Sequence, residues 1–386
     1  MPLKFVKVIL ILSLVFAFSG QAFALSASDS INNFAFNAGR IIGKDSGSYF
    51  FSPYSIISAF GMAYAGSAGD TAREIECVLG FDSGTHESIH ELIESLDDTR
   101  FITSANRVWL RNGLTLKDTY RNILALNYGN TVKELDIRNK TEASRKAIND
   151  WVSRKTKNKI QNLLAQLDPE TQMIITNAVY FNAEWEHKFE KDDTTLKPFH
   201  VNDRQTIDVQ MMIQNRDFDY GEFDGIKIVR LPYNGYRLSM IAVLPPKENP
   251  NAIDSVDAET FKHWIDSLRE YSVDLWLPKF KTEKKYQLAD LFKAMGVSLA
   301  FSNNADFSGI TDDEKLKIDA VIHQSFIDVD EEKTEAAAAT AITMVRATAM
   351  RPIQKPKAEF HADRPFTYFI YDRKTGTILF MGRQTF

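Results

Sequence analysis

The sequence predicts one large α+β domain, and three observations predict it. Hydrophobic residues make up 44% of the 386, ample material for a core. Segments with apolar residues at helical spacing occupy much of the first half, whereas β-branched and aromatic runs closed by Asn, Gly or Pro fill the second. No linker or repeat divides the chain, and its one biased stretch is a run of alanines near the C-terminus.

Residues 1–24 stand apart. Lys4 and Lys7 precede an apolar run over 8–18 broken only by Ser13, and Ala22-Phe23-Ala24 is an A-x-A cleavage signal. This pattern predicts a secretory signal peptide, too short to span a membrane, and a mature domain over 25–386. With no cysteine near the cleavage site a lipid-anchored lipoprotein is not expected, so the location is extracellular or periplasmic, without a membrane partner.

SDSINNFAFNAGRII, at 28–42, is spaced as a helix. FSPYSIISAFGMAYAGSAGDTAREIECVLGF opens with Ser52-Pro53, a helix start, and continues as a buried helix would. ITSANRVWLRN and NTVKELDI alternate as strands do. EASRKAINDWVSRKTKNKIQNLL is amphipathic, with Ile148, Trp151, Val152 and Ile160 on one face and basic residues on the other. MIITNAVYFNAEW, IKIVRLPYN, RLSMIAVLPP and YSVDLWLPKFK are strands of a mixed sheet. QLADLFKAMGV is a short helix, and TYFIYDRKTGTILFMGR is a hairpin around Lys374-Thr375-Gly376.

Lys plus Arg number 46 against 51 Asp plus Glu, a net charge of -5, which leaves no nucleic-acid footprint. The basic face over 142–164 reads as a solvated helix face rather than a polyanion site. Cys77 is the single cysteine, so no internal disulfide forms and packing must supply stability; within AREIECVLGF it reads as a small buried hydrophobe. Asn139-Lys140-Thr141 is a glycosylation sequon, relevant only in a eukaryotic secretory path.

Catalytic motifs are few. His86-Glu87-Ser88-Ile89-His90 satisfies H-E-x-x-H, which on a helix puts two imidazoles on one face to bind zinc, but no third ligand is evident and a solvated helix is the simpler reading. There is no G-x-S-x-G elbow, no P-loop and no dinucleotide fingerprint. Nothing points to an enzyme, a cofactor or a metal.

The alanine run, EEKTEAAAATAITMVRA at 331–347, carries the functional argument. Read as a strand, its even residues are Thr334, Ala336, Ala338, Thr340, Ile342 and Met344, a small, uncharged face fit for burial, while Glu335 points the other way. KIDAVIHQSFIDVDEE before it alternates as a sheet strand, and MRPIQKPKAEF after it, with prolines at 352 and 356, is an extended tether. Together they describe an exposed loop able to enter its own sheet. By propensity AAAATA also suits a helical turn, and that alternative stays open for the loop before insertion.

These residues resemble the serpins over nearly the whole mature chain. FSPYSIISAFGMAYAGSAGDTAREI is similar to the family's second-helix motif, NAVYFNAEWEHKFEKDDTTLKPFHV to its breach segment, and LPKFK with ADFSGIT to a later strand and turn. EEKTEAAAAT resembles the reactive-loop hinge and FHADRPFTYFIYDRKTGTILFMGR the C-terminal hairpin. The resemblance implies three β-sheets, a bundle of about eight or nine helices and an exposed reactive-centre loop over about 333–356. It also implies suicide inhibition. A serine proteinase, or a cysteine proteinase, cleaves the loop and forms an acyl-enzyme, and the freed loop inserts as a strand in the central sheet. About a dozen new backbone hydrogen bonds, at about 1 kcal/mol each, make insertion favourable by on the order of 10 kcal/mol, so the active fold must be kinetically trapped.

The family's loop length places the hinge over Glu331, Glu332, Lys333, Thr334, Glu335, Ala336, Ala337, Ala338, Ala339 and Thr340, and the cleaved bond between Ala347 and Thr348. That suits elastase-like or subtilisin-like enzymes. A loop one residue shorter moves the bond to Arg346-Ala347, which suits trypsin-like ones. Ser52, Ser55, Asn177 and His323 match the family's shutter and Trp185 its breach. One departure is Lys333, where inhibitory members usually carry glycine. It is the main support for a non-inhibitory carrier or binding protein, against which the small residues at 336–340 argue. The expected partner is a target proteinase in a covalent complex with a monomeric inhibitor; bound metal at His86 and His90 would revive a zinc hydrolase.

Overall fold

The computed structural model describes residues 26–334 and 355–386, apart from Ser46, 98–100 and Asn130. The signal-peptide reading, residues Glu335 to Thr340 of the hinge and the bonds at Arg346, Ala347 and Thr348 lie outside the described residues.

Eight α-helices are described: α1 (Ala27–Ile42), α2 (Pro53–Tyr64), α3 (Gly69–Leu79), α4 (Thr85–Asp97), α5 (Asp118–Tyr128), α6 (Thr141–Lys155), α7 (Ala258–Ser267) and α8 (Ala289–Met295). The strands are β1 (Tyr49–Phe51), β2 (Ile102–Arg111), β3 (Val132–Leu135), β4 (Met173–Phe181), β5 (Ala183–Glu184), β6 (Thr195–Asn202), β7 (Gln205–Phe223), β8 (Ile226–Pro232) and β9 (Leu238–Leu244). They continue with β10 (Arg269–Pro278), β11 (Phe280–Gln287), β12 (Ala320–Val329), β13 (Lys333–Thr334), β14 (Lys357–His361), β15 (Phe366–Asp372) and β16 (Thr377–Gln384).

Hydrogen bonds join these strands into two networks. One has nine strands in the order β1-β16-β15-β9-β8-β7-β10-β14, with β6 also on β7; the other has seven, β3-β2-β4-β12-β13-β5, with β11 on β12. Three sheets were expected. The 19-residue β7 explains the merger, because residues 205–211 pair with β6, 211–220 with β10 and 219–223 with β8, so one strand joins what would be separate sheets.

Helix positions follow local chemistry. Ser26 caps α1 in a reciprocal box with Asp29. The stretch read as one buried helix after Ser52-Pro53 is two. Its first part, α2, is buried at every residue from Pro53 to Ala63, and Gly69 then opens α3 at φ 54°, a left-handed conformation that a Cβ disfavours. The amphipathic segment over 142–164 likewise stops being helical at Lys155. Lys157 and Asn158 take positive φ, and Thr156 Oγ1 accepts from the Ile160 backbone 3.1 Å away, folding the chain back so that Ile160 is still buried.

Cys77 is exposed, contrary to its reading as a buried hydrophobe. The buried stripe of α3 is Thr71, Ile75 and Leu79, and a residue two beyond Ile75 lies on the opposite side of the helix. The second network separates two cores. A large one lies between the sheets around α2; a smaller one, with Trp109, Ile148, Val152, Ile174 and Ile322, lies beneath α6.

Candidate functional site: the seam between β4 and β12

β4 and β12 are parallel neighbours at the centre of the seven-stranded network, in register from Ala320↔Ile174 to Phe326↔Tyr180. Parallel neighbours need a long connection, so 138 intervening residues leave and return before the seam closes. All nine residues of β4 are buried, as are 321–327 of β12. The alternation seen in β12 therefore marks two buried faces: Ile322 joins the core under α6, while Val321, Ile327 and Val329 join the large core.

A polar cluster crosses the seam on the large-core side. Asn177 and His323 stand opposite each other in register, and the histidine Nδ1 hydrogen-bonds the Asn177 Oδ1. His323 Nε2 accepts from the Ser52 backbone N–H at 3.1 Å, so the ring is the neutral Nδ1–H tautomer. Complete burial holds its pKa down to about 3. The Ser52 hydroxyl donates to the Leu379 carbonyl at 2.7 Å and accepts from the Ser55 N–H at 3.1 Å, capping α2. Asn177 Nδ2 faces the Ser55 carbonyl at 2.8 Å and Asn106 Oδ1 at 2.6 Å. These four sequence-identified residues thus form one fully buried network linking α2, β4, β12 and β16. One member was missed: Asn106 of β2 accepts from Ser55 Oγ at 3.1 Å. Outside the network, Ser325 of β12 donates to the Phe50 carbonyl at 2.7 Å. β2 carries Thr103, Ser104 and Arg107 as well, so nothing in the sequence singled out Asn106.

Trp185 lies elsewhere, at the end of the seam. It stacks on Tyr233 at 4.6 Å and 10°, and its indole N–H donates to the Asp330 carbonyl at 2.9 Å. The chain leaving β12 is held there. Glu331, 5% exposed, accepts from Lys279 at 2.7 and 2.9 Å and from Thr194 at 2.9 Å. Burial works to raise the Glu331 pKa, but those hydrogen bonds and the Lys279 charge outweigh it and hold the carboxyl below its usual value. Glu332 pairs with the exposed Lys191 at 2.6 Å. Sequence reading marked Glu331 and Glu332 by the hinge but had no means of finding Lys279 or Thr194.

Lys333 and Thr334 form β13, wedged between β5 (Lys333↔Glu184, Thr334↔Ala183) and the top of β12 (Val329↔Thr334). They occupy the edge of β12 that β4 occupies further along. The H-E-x-x-H pattern lies on α4, far in function from this seam. His86 Nδ1 is bonded to Tyr128 Oη at 2.8 Å, burial lowers its pKa, and no group of three metal-ligating side chains is found among the described residues.

A two-network fold closing on a seam, with a hinge leading to it, is the fold of a family of proteinase inhibitors. The Serpin (serine protease inhibitor) family model matches residues 29–385. The chain is 38% identical to an uncharacterized serpin-like protein of Thermococcus kodakarensis, covering 92% of this chain and 84% of the relative, and 34% identical to human Serpin B3, covering 86% and 92%. It also superimposes on human thyroxine-binding globulin, at a TM-score of 0.83 and 28% identity, covering 93% of this chain and 98% of that one. The chain belongs to the serpin family, whose members are generally inhibitors of proteinases rather than enzymes.

Proposed function

We propose that the mature chain, residues 25–386, is one serpin domain acting as a secreted suicide inhibitor of serine proteinases. The loop over about 333–356 is cleaved, the enzyme is held as an acyl-enzyme, and the freed strand inserts between β4 and β12. The observation that carries this reading is the position of β13. The hinge already pairs with the top of β12 on the edge that faces β4. Propagating that pairing along β12 requires that β4 be displaced, and the Asn177–His323 contact is among those that must part. Side-chain amide and imidazole groups suit such a gate because they find new partners on an inserted strand.

Elastase-like or subtilisin-like enzymes fit cleavage at Ala347-Thr348, and trypsin-like enzymes fit Arg346-Ala347. The test is to mix the mature protein with pancreatic elastase, subtilisin and trypsin separately. A denaturation-resistant complex on gels is expected with at least one, and the mass of the released peptide identifies the bond. Clean cleavage with no complex across a broad panel would overturn the inhibitory reading. It would favour the second one, a non-inhibitory binding protein, which Lys333 at the hinge supports and which the likeness to thyroxine-binding globulin keeps in view.

A further inference from the structure

Arg107 has no ion-pair partner among the described carboxylates, although it is half-buried. Three other shielded arginines each have one: Arg111 with Glu314, Arg230 with Asp219 and Arg237 with Asp372. Its guanidinium instead lies over the ring of Trp151 on α6 at 4.2 Å and near that of Trp109 at 5.2 Å, and its buried Nε has no hydrogen-bond partner. Guanidinium stays charged in proteins, so this site holds a positive charge with unused donors.

The surroundings form a crevice, and strand pairing explains why. β3 covers β2 only from Val108 to Arg111, so 102–107 are paired on the β4 side alone. The space beside that edge is closed by α4 and by the end of α5, leaving a cavity of about 430 Å³. Arg107, Lys155 and His90 line it with Met62, Ile93 and Trp151; Glu94, exposed, is its carboxylate. Its volume lies in the range of small-molecule sites, and polar side chains share the wall with apolar ones.

We propose that this crevice binds a small amphiphilic carboxylate. The acid is held by the Arg107 fork, and its aromatic or branched body lies against Trp151, Met62 and Ile93. Guanidinium is chosen over ammonium because its planar donors engage both carboxylate oxygens while its face stays on the indole. Lys155 adds charge from α6, so the ligand spans α6 and β2. The proposal does not rest on inhibition of any proteinase.

Isothermal titration of the mature protein with naphthalene-2-carboxylate, and with 2-naphthamide as its neutral counterpart, tests it. The carboxylate is expected to bind, with quenching of tryptophan fluorescence, and the amide to bind at least tenfold more weakly. Arg107→Met, which keeps a side chain over Trp151, should weaken the carboxylate at least tenfold; Arg107→Lys, which keeps the charge and loses the fork, about fivefold. Thermal unfolding of each variant establishes that it is folded, and the lysine variant carries the test if the methionine one is not. No binding at millimolar carboxylate, equal binding of the amide, or unchanged affinity in a folded variant overturns the proposal.

Discussion

His323 is the residue on which the seam's chemistry turns. Its Nε2 already accepts from Ser52, so a second proton there would set two donors against each other in a buried site. The native pKa of about 3 lies below the unfolded value of about 6.5, so the unfolded chain takes up the proton first and stability falls as pH drops through that interval. Between pH 6.5 and pH 4 this one group should cost on the order of 3 kcal/mol. Denaturant unfolding of wild type and His323→Gln across that range checks it: the stability difference between the two should shrink as pH falls, and a constant difference would show that the histidine is not the cause. Glu331 presents the opposite problem, a buried charge that needs its partner. Lys279→Ala should lower stability by about 2–3 kcal/mol in the same assay, because Thr194 alone cannot replace the lost cation.

At the level of elements, β13 is two residues long and sits where a wedge would. Glycine before Thr334 would leave φ free at the bend, whereas a lysine there restricts it. Slower insertion gives the acyl-enzyme time to hydrolyse, so Lys333→Gly should reduce the number of inhibitor molecules consumed per enzyme trapped. Titration of a proteinase that forms the complex measures this, and an unchanged ratio would remove lysine from the account. Trp185 holds the same end by its bond to the Asp330 carbonyl and its stack on Tyr233. Trp185→Phe keeps a stacked ring and loses the hydrogen bond; a small loss of about 1 kcal/mol in unfolding is expected.

For the whole molecule the controlling quantity is the difference between the fold with β4 and β12 joined and one with a strand between them. With insertion favourable by on the order of 10 kcal/mol, a chain cleaved in the loop without trapping its enzyme should melt about 20 °C above the intact protein. Equal melting temperatures, measured by calorimetry, would mean that the cleaved loop does not insert. If the loop inserts, the active state is held by a barrier, and the Asn177–His323 contact across the seam is among the contacts that must break.

Periodicity and end signals in the sequence determined much of this. Ser52-Pro53 starts α2, the apolar spacing over 28–42 places α1, and β12, β15 and β16 fall on the runs that alternate or close on Lys374-Thr375-Gly376. Those signals are local, and propensity with a two- or 3.6-residue period is enough to read them. Tertiary structure decided what depends on distant partners. The side of α3 that Cys77 faces, the merging of layers through β7, the entry of Asn106 into the seam network, the Glu331–Lys279 pair and the crevice at Arg107 all arise where segments far apart in sequence meet. A hydrogen bond or an ion pair leaves no period in the chain, because its energy belongs to a distance between two residues and to the water that packing removes from around them.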